Sequence, residues 1–211
     1  MDKQTLRREM KGRRSKLDPQ TALRLSEKIC SRILAWSIYA RADVILGYFP
    51  TGSEADIKAV LLAALQQGKK VALPKVFGQR HMEFLYINGF NDLEKGAMNL
   101  WEPAIGCSVF DPLSIREQQT LMLVPGLAFC QDGQDSEPIG RLGYGGGFYD
   151  TYLSRITGGK ISGSASCHLA ACGVAYDVQK ISCQGFPLES HDLFIKYLVT
   201  EKSIYGQEEI R

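Results

Sequence analysis

Residues 44–74 read VILGYFPTGSEADIKAVLLAALQQGKKVALP. Residues 44–49 form an unbroken apolar run closed by Pro50, Thr51 and Gly52, which predicts a buried strand and a turn. Ser53, Glu54, Ala55 and Asp56 then resemble a helix N-terminus with acids in its first turn. The predicted helix runs through Ile57, Val60, Leu61 and Leu65 and stops near Gly68. Residues 70–74 make the next short strand. Strand, helix and strand in this order define a βαβ unit, the building block of a parallel sheet.

The pattern continues outward. Residues 121–124 (LMLV) predict an apolar strand ending in Pro125 and Gly126, and residues 172–176 and 195–200 predict two more. Residues 82–87 (MEFLYI) alternate, as a half-exposed and antiparallel strand would. A helix is expected over 20–40, with Leu23, Ile29, Ile33, Leu34 and Trp36 as its apolar stripe. The expected fold class is a single α/β domain with a mostly parallel sheet, helices on both faces and an N-terminal helical extension. In such sheets the ligand crevice lies beyond the carboxyl ends of the strands. That rule puts residues 49–54, Pro74, Pro125, Gly126 and a later glycine loop on one rim.

Composition agrees with one folded domain. Of 211 residues, 45% are hydrophobic and 23% charged, which excludes a disordered, collagen-like or coiled-coil chain. No run of 18 apolar residues is available for a membrane span, and residues 1–17 (MDKQTLRREMKGRRSKL) have no apolar core of a secretory signal. A soluble, cytoplasmic protein is expected. The six cysteines (Cys30, Cys107, Cys130, Cys167, Cys172, Cys183) include no CxxC pair, so free thiols are expected rather than disulfides or a zinc site.

Charge is uneven. Residues 1–20 hold seven basic and three acidic side chains, and the remainder holds 18 and 20. Asp2 can cap the first helix, and Asp18 with Pro19 ends it and starts the next. Lys3, Arg7, Lys11 and Arg14 share one face, while Leu6, Met10 and Leu17 form an apolar stripe able to dock on a core. The segment alone favours a solvated basic face; a nucleic-acid patch and a docked helix aiming cations at an anionic ligand are the other readings.

The densest chemistry lies in residues 141–150, RLGYGGGFYD. Gly143, Gly145, Gly146 and Gly147 lead into a helix, so inward-turned N–H groups and the helix dipole favour a phosphate. Arg141 before the loop is a candidate phosphate clamp. Asp150 after it can stabilise the dipole or ligate Mg²⁺. Neither the dinucleotide-binding nor the P-loop fingerprint is present.

This string, with VPGLAF upstream, is similar to the signature of the 5-formyltetrahydrofolate cyclo-ligase (methenyltetrahydrofolate synthetase) family. The resemblance extends over nearly the whole chain through KQTLRREMKGRR, GYFPTGSEADI, KKVALPKV, the EP of LWEP and the HD of ESHDLFIKYLVTE. It implies a doubly wound α/β fold and an ATP- and Mg²⁺-dependent ring closure of 5-formyltetrahydrofolate to 5,10-methenyltetrahydrofolate, with release of ADP and phosphate. By the same resemblance Lys3 and Arg7 hold ATP phosphates, and Arg141 with Gly143, Tyr144, Gly145, Gly146, Gly147, Phe148 and Tyr149 forms the nucleotide loop. Residues 144–148 also border the folate. Phe49 and Glu54 contact the folate near the formyl group, and Asp150 and Asp192 bind the metal. Glu54 and Arg141 are the implied catalytic residues. The expected partner is a reduced folate, with neither nucleic acid nor membrane, acting on a monomer.

The chain departs from the family pattern at several points. Cys130 stands where an Asp is usual, about six extra residues fall within 134–140, and Phe148 replaces a Tyr. An aromatic of the folate pocket falls on Met98, with Trp101 nearby, and residues 160–171 are longer than the usual spacing. Another phosphate-handling α/β enzyme and a basic-helix RNA-binding protein are the alternative readings.

Overall fold

The computed structural model describes residues 2–78, 80–96, 99–131, 138–158, 168–189, 192 and 194–206. In chain order its elements are α1 (Lys3–Ser15), α2 (Pro19–Leu34), α3 (Ser37–Arg41), β1 (Val44–Leu46), α4 (Lys58–Gln66), β2 (Lys70–Gly78) and β3 (His81–Ile87). They continue with β4 (Leu93–Lys95), β5 (Trp101–Pro103), β6 (Thr120–Pro125), β7 (Ala128–Cys130), β8 (Ile139–Leu142) and α5 (Phe148–Thr157). The last are β9 (Leu169–Val174), β10 (Lys180–Ile181), β11 (Phe194–Ile195), β12 (Tyr197–Val199) and β13 (Ile204–Tyr205).

The main sheet has the order β13-β12-β9-β6-β1-β2-β3. Its five central strands are parallel, and β3 and β13 close the edges antiparallel. From β1 the chain moves to β2 on one side and later returns to β6 on the other. The strand order therefore reverses between β1 and β6, where a doubly wound sheet opens its crevice.

Alternate side chains of each strand enter separate cores. Ile45, Val71, Leu73, Leu121 and Leu123 meet Ile29, Ile33, Val60 and Leu61 of the helices on one face. Val44, Leu46, Ala72, Met122 and Val124 meet Tyr152, Leu153 and Phe129 on the other. Burial on both faces is why these strands read as continuous apolar runs. The doubly wound class thus agrees with the expectation, helices on both faces included. The second face, however, is covered by α5 together with a second sheet of order β10-β7-β8-β11, which the apolar pattern did not announce.

Phe129 seats that small sheet on the large one. It is fully buried, and a Cβ on Gly173 of β9 would lie 2.5 Å from its ring. A Cβ on Gly126, after β6, would lie 2.6 Å from the same ring. Two missing side chains thus make the notch in which the ring sits.

Three boundaries differ from the sequence expectation. The helix expected over 20–40 breaks at Ala35 and Trp36, because an extended Trp36 backbone turns its ring into the core, edge-on to Tyr197 at 5.0 Å. The strand expected over 195–200 is divided between the two sheets at Lys196. The helix expected to begin at residues 53–56 starts only at Lys58, whose N–H donates to Asp56 Oδ1 at 2.9 Å. The Tyr48 hydroxyl donates to the Ala55 carbonyl at 2.7 Å and helps hold the preceding segment out of the helix.

The N-terminal helices pack on the body of the fold. Asp2 caps α1 by accepting from the N–H groups of Gln4 and Thr5, and Asp18 caps α2 ahead of Pro19. Leu6 and Met10 dock in a small cluster with Leu127, Ala128 and Leu142. The five described cysteines form no disulfide, while Cys167 lies outside the described residues. No helix among the described residues is long and apolar enough to cross a membrane.

The notch gives a stability prediction. Gly173→Ala forces the Phe129 ring to shift and should cost about 1–3 kcal/mol, as overpacked cores do. Phe129→Ala should cost about 3–5 kcal/mol through the cavity it leaves. Both are read as lowered urea midpoints, and an unchanged midpoint for Gly173→Ala would overturn this account of the seat.

Candidate functional site

The small sheet delivers the glycine loop. In its register Arg141 of β8 stands opposite Phe129 of β7, so both side chains lie on the face turned toward the main sheet. Arg141 is only 5% exposed. Its Nη1 donates to the Pro125 carbonyl at 3.0 Å, and its Nη2 pairs with Asp150 Oδ2 at 2.8 Å. Its guanidinium also stands over the Tyr149 ring at 5.6 Å. Arg141 Nε is buried without a hydrogen-bond partner among the described residues. Gly145 and Gly147 adopt φ values of 107° and 69°, in the region that L side chains avoid. Gly147 is the N-cap of α5, so the loop ends on free helical N–H groups.

Helix α1 lies along this loop. Lys3 Nζ meets Asp192 at 2.7 Å and Glu189 at 3.1 Å. Desolvation works against the charge of Lys3, but the two carboxylates prevail and hold its pKa above the usual lysine value. Arg7 Nε donates to the Gly143 carbonyl at 3.0 Å. Arg14 is 4% exposed and donates through Nε to Ser53 Oγ at 2.9 Å and through Nη1 to the Tyr144 hydroxyl at 2.6 Å. Lys11, the fourth member of the basic face, stays exposed. The solvated-face reading of this helix therefore fails for three of its four cations, because the apolar stripe beside them docks and turns them inward.

Glu54 sits across the crevice, after β1. It belongs to a turn, with its N–H donating to the Thr51 carbonyl at 3.1 Å. The expected place of Glu54 in the first turn of a helix is therefore corrected, since α4 begins four residues later. Its Oε2 accepts from the Thr51 N–H at 3.0 Å and its Oε1 from the Tyr144 hydroxyl at 2.5 Å. Desolvation raises the Glu54 pKa above the ordinary glutamate value, against the opposing pull of Tyr144, Thr51 and the Arg14 charge. Desolvation and the nearby Glu54 charge raise the Tyr144 pKa, so its hydroxyl keeps its proton.

Phe49 packs edge-on against Phe90 at 5.3 Å and Trp101 at 6.5 Å, with Lys58 over its ring at 5.8 Å. Trp101 is 46% exposed and stands beside Phe49, while Met98 lies outside the described residues. Phe148 packs against the core of the second face.

The structure brings Arg7 and Arg141 to the glycine loop, pairs Arg141 with Asp150 and Lys3 with Asp192, and links Glu54 to the loop through Tyr144. Asp150 and Asp192 do not join a cluster: no group of three or more His, Cys, Asp or Glu residues able to hold a metal occurs among the described residues. Each is held by a cation instead. As carboxylate oxygen donors they are of the kind that Mg²⁺ takes, one or two at a time, with water and phosphate oxygens completing its shell. Pro74 lies within β2, opposite Phe84, rather than at a strand end on the rim. Sequence reasoning missed Arg14 as a site residue, although its place on the α1 face was visible. It also missed Arg80, whose Nε comes within 4.0 Å of where a Cβ would stand on Gly147, and no local pattern signals that approach. Residues 134–137 and 160–167, where the chain departs from the family spacing, lie outside the described residues.

Known proteins of one kind resemble this chain in sequence and fold. The chain is 26% identical over 205 residues to the 5-formyltetrahydrofolate cyclo-ligase of Mus musculus, covering 95% of this chain and 94% of that one. It is 29% identical over 212 residues to the mitochondrial 5-formyltetrahydrofolate cyclo-ligase of Arabidopsis thaliana, covering 95% and 73%. Its fold superposes on the solution structure of Aquifex aeolicus 5,10-methenyltetrahydrofolate synthetase with a TM-score of 0.77 at 26% identity, covering 100% of this chain and 96% of that one. Residues 1–201 match the model of one family, and with the loop, crevice and strand order described above the chain belongs to the 5-formyltetrahydrofolate cyclo-ligase family.

Proposed function

We propose that this chain closes 5-formyltetrahydrofolate to 5,10-methenyltetrahydrofolate at the expense of ATP, releasing ADP and phosphate. The observation that carries the reading is the convergence of Arg7 and Arg141 on a glycine loop whose tyrosine reaches Glu54 across the crevice, with Lys3 about one helical turn before Arg7. The formyl oxygen attacks the γ-phosphorus and ADP leaves, so the oxygen becomes part of a phosphate ester on an iminium-like carbon. N10 then adds to that carbon, its proton is lost to solvent, and phosphate departs as the ring closes.

Such chemistry needs positioning and charge neutralisation rather than a protein nucleophile. Arg141 is the principal phosphate clamp in this reading, and its Nε, without a hydrogen-bond partner among the described residues, is a donor that a phosphate oxygen would satisfy. Lys3, Arg7 and Arg80 add positive charge, and the N–H groups of residues 143–149 line the phosphates. Asp150 and Asp192 would hold Mg²⁺, which would supply charge neutralisation on the transferring phosphate. Phe49 and residues 144–148 border the folate. Glu54 orients the pterin and formyl region and favours positive charge developing there.

We further propose that residues 1–211 form one domain, monomeric and cytoplasmic, with a reduced folate as partner and neither nucleic acid nor membrane. The inward commitment of Lys3, Arg7 and Arg14 supports the absence of a nucleic-acid role.

The decisive assay follows the methenyl chromophore in the near ultraviolet, with 5-formyltetrahydrofolate and Mg²⁺, with and without ATP. ATP-dependent product is expected. ATP binding without product would favour another phosphate-handling enzyme. Arg141→Ala should raise the KM for ATP roughly tenfold to a hundredfold, the worth of a charge-assisted hydrogen bond or two, with folding checked by circular dichroism. A KM within twofold of wild type would remove Arg141 from the clamp.

Glu54 must be ionised to act as proposed, and its pKa lies above the ordinary glutamate value. Lowering the pH through that raised pKa protonates it, so the acid limb of kcat/KM should lie above the ordinary glutamate range. Glu54→Gln should lower kcat, abolish that limb and leave ATP binding intact. An acid limb retained by Glu54→Gln would assign it to another group.

A further inference from the structure

We propose that Tyr144 and Arg14 are positioning residues that couple the two substrates, with Tyr144 transmitting the arrangement of the nucleotide loop to Glu54 and Arg14 fixing the direction of its hydroxyl proton. The inference rests on the function proposed above and goes beyond it, because it concerns how one substrate alters the binding of the other.

Tyr144 is the only side chain of residues 143–147, which are otherwise glycine. Its backbone follows Gly143, whose carbonyl is held by Arg7, and precedes Gly145 in its left-handed conformation. Its hydroxyl leaves the loop and lies between Arg14 Nη1 at 2.6 Å and Glu54 Oε1 at 2.5 Å. A guanidinium can only donate, so the tyrosine oxygen accepts from Arg14 and directs its single proton to Glu54. The raised pKa of Tyr144 accords with that proton staying in place.

Arg14 is fixed on both sides of the crevice. Its Nε holds Ser53, next to Glu54, and its Nη1 also approaches the Gly126 carbonyl at 3.5 Å, beyond β6. Its guanidinium stands 5.5 Å from the centre of the Tyr144 ring. Every hydrogen-bond partner described for this buried cation is neutral, and the tyrosine relays its charge to the Glu54 carboxylate. Glu54 is thus divided between two anchors: Oε2 is bound to its own turn through Thr51, and Oε1 to the nucleotide loop through Tyr144. Any movement of the loop around phosphates changes the donor on Oε1, and linkage makes the effect reciprocal.

The test is calorimetric. Folate affinity is measured with and without a non-hydrolysable ATP analogue and Mg²⁺, in wild type, Tyr144→Phe and Arg14→Lys. Wild type should show a coupling factor of roughly 5- to 150-fold, the usual allosteric range. Tyr144→Phe should bring it to about one, because the loop then has no donor to Glu54 Oε1. Arg14→Lys keeps the charge but loses the fork, and should give an intermediate factor.

A second readout separates positioning from packing. The tyrosine hydroxyl stabilises ionised Glu54, so Tyr144→Phe should move the acid limb of kcat/KM further up in pH, a shift that a packing role would not produce. Wild-type coupling retained in Tyr144→Phe with an unmoved acid limb would overturn the inference while leaving the proposed function standing. Wild-type protein that neither binds nor turns over the folate would sink the function, and this inference with it.

Discussion

The site depends on how one aromatic ring is seated. Phe129 occupies the notch made by Gly126 and Gly173, and this fixes where the four-stranded sheet rests on the parallel one. Because Arg141 is the cross-strand neighbour of Phe129, the same contact sets the depth of the guanidinium beneath the loop. The neighbouring pairing of β8 with β11 places Phe194 opposite Gly140, two residues beyond Asp192. An apolar packing constraint thus governs where the Arg141 cation lies beneath the glycine loop.

Those charges are balanced before any ligand arrives. Arg141 is paired with Asp150 and Lys3 with Asp192, so neither buried or half-buried cation is left uncompensated. The arrangement holds the side chains in fixed directions, which is the condition for electrostatic stabilisation without reorganisation. The partners of each cation are also the carboxylates suited to a divalent ion, so ligand and metal would exchange contacts within one closed set of charges.

The parallel sheet was legible because strands buried on both faces cannot hide their apolar runs, as residues 44–46 and 121–124 show. The small sheet was not, because residues 128–130 and 139–142 are too short for any alternation to be seen. The glycine loop was readable from its backbone freedom alone, whereas the reaction came from the resemblance of the whole string. Periodicity placed Lys3, Arg7 and Arg14 on one face but could not say what the face meets. Glu54 shows the same limit from the other side: local pattern put it in a helix, and only the fold brings it to a tyrosine 90 residues away.

Helix α1 carries three of the cations, yet it is tied to the body through a small cluster of its own, Leu6 and Met10 against Leu127, Ala128 and Leu142, separate from both main cores. Beside that cluster it is held by the polar contacts of Lys3, Arg7 and Arg14, so its docking draws on fewer apolar contacts than the sheet does. If α1 supplies nucleotide contacts as proposed, the fraction of molecules with the helix in place multiplies the intrinsic affinity for nucleotide, as any competent state's population does.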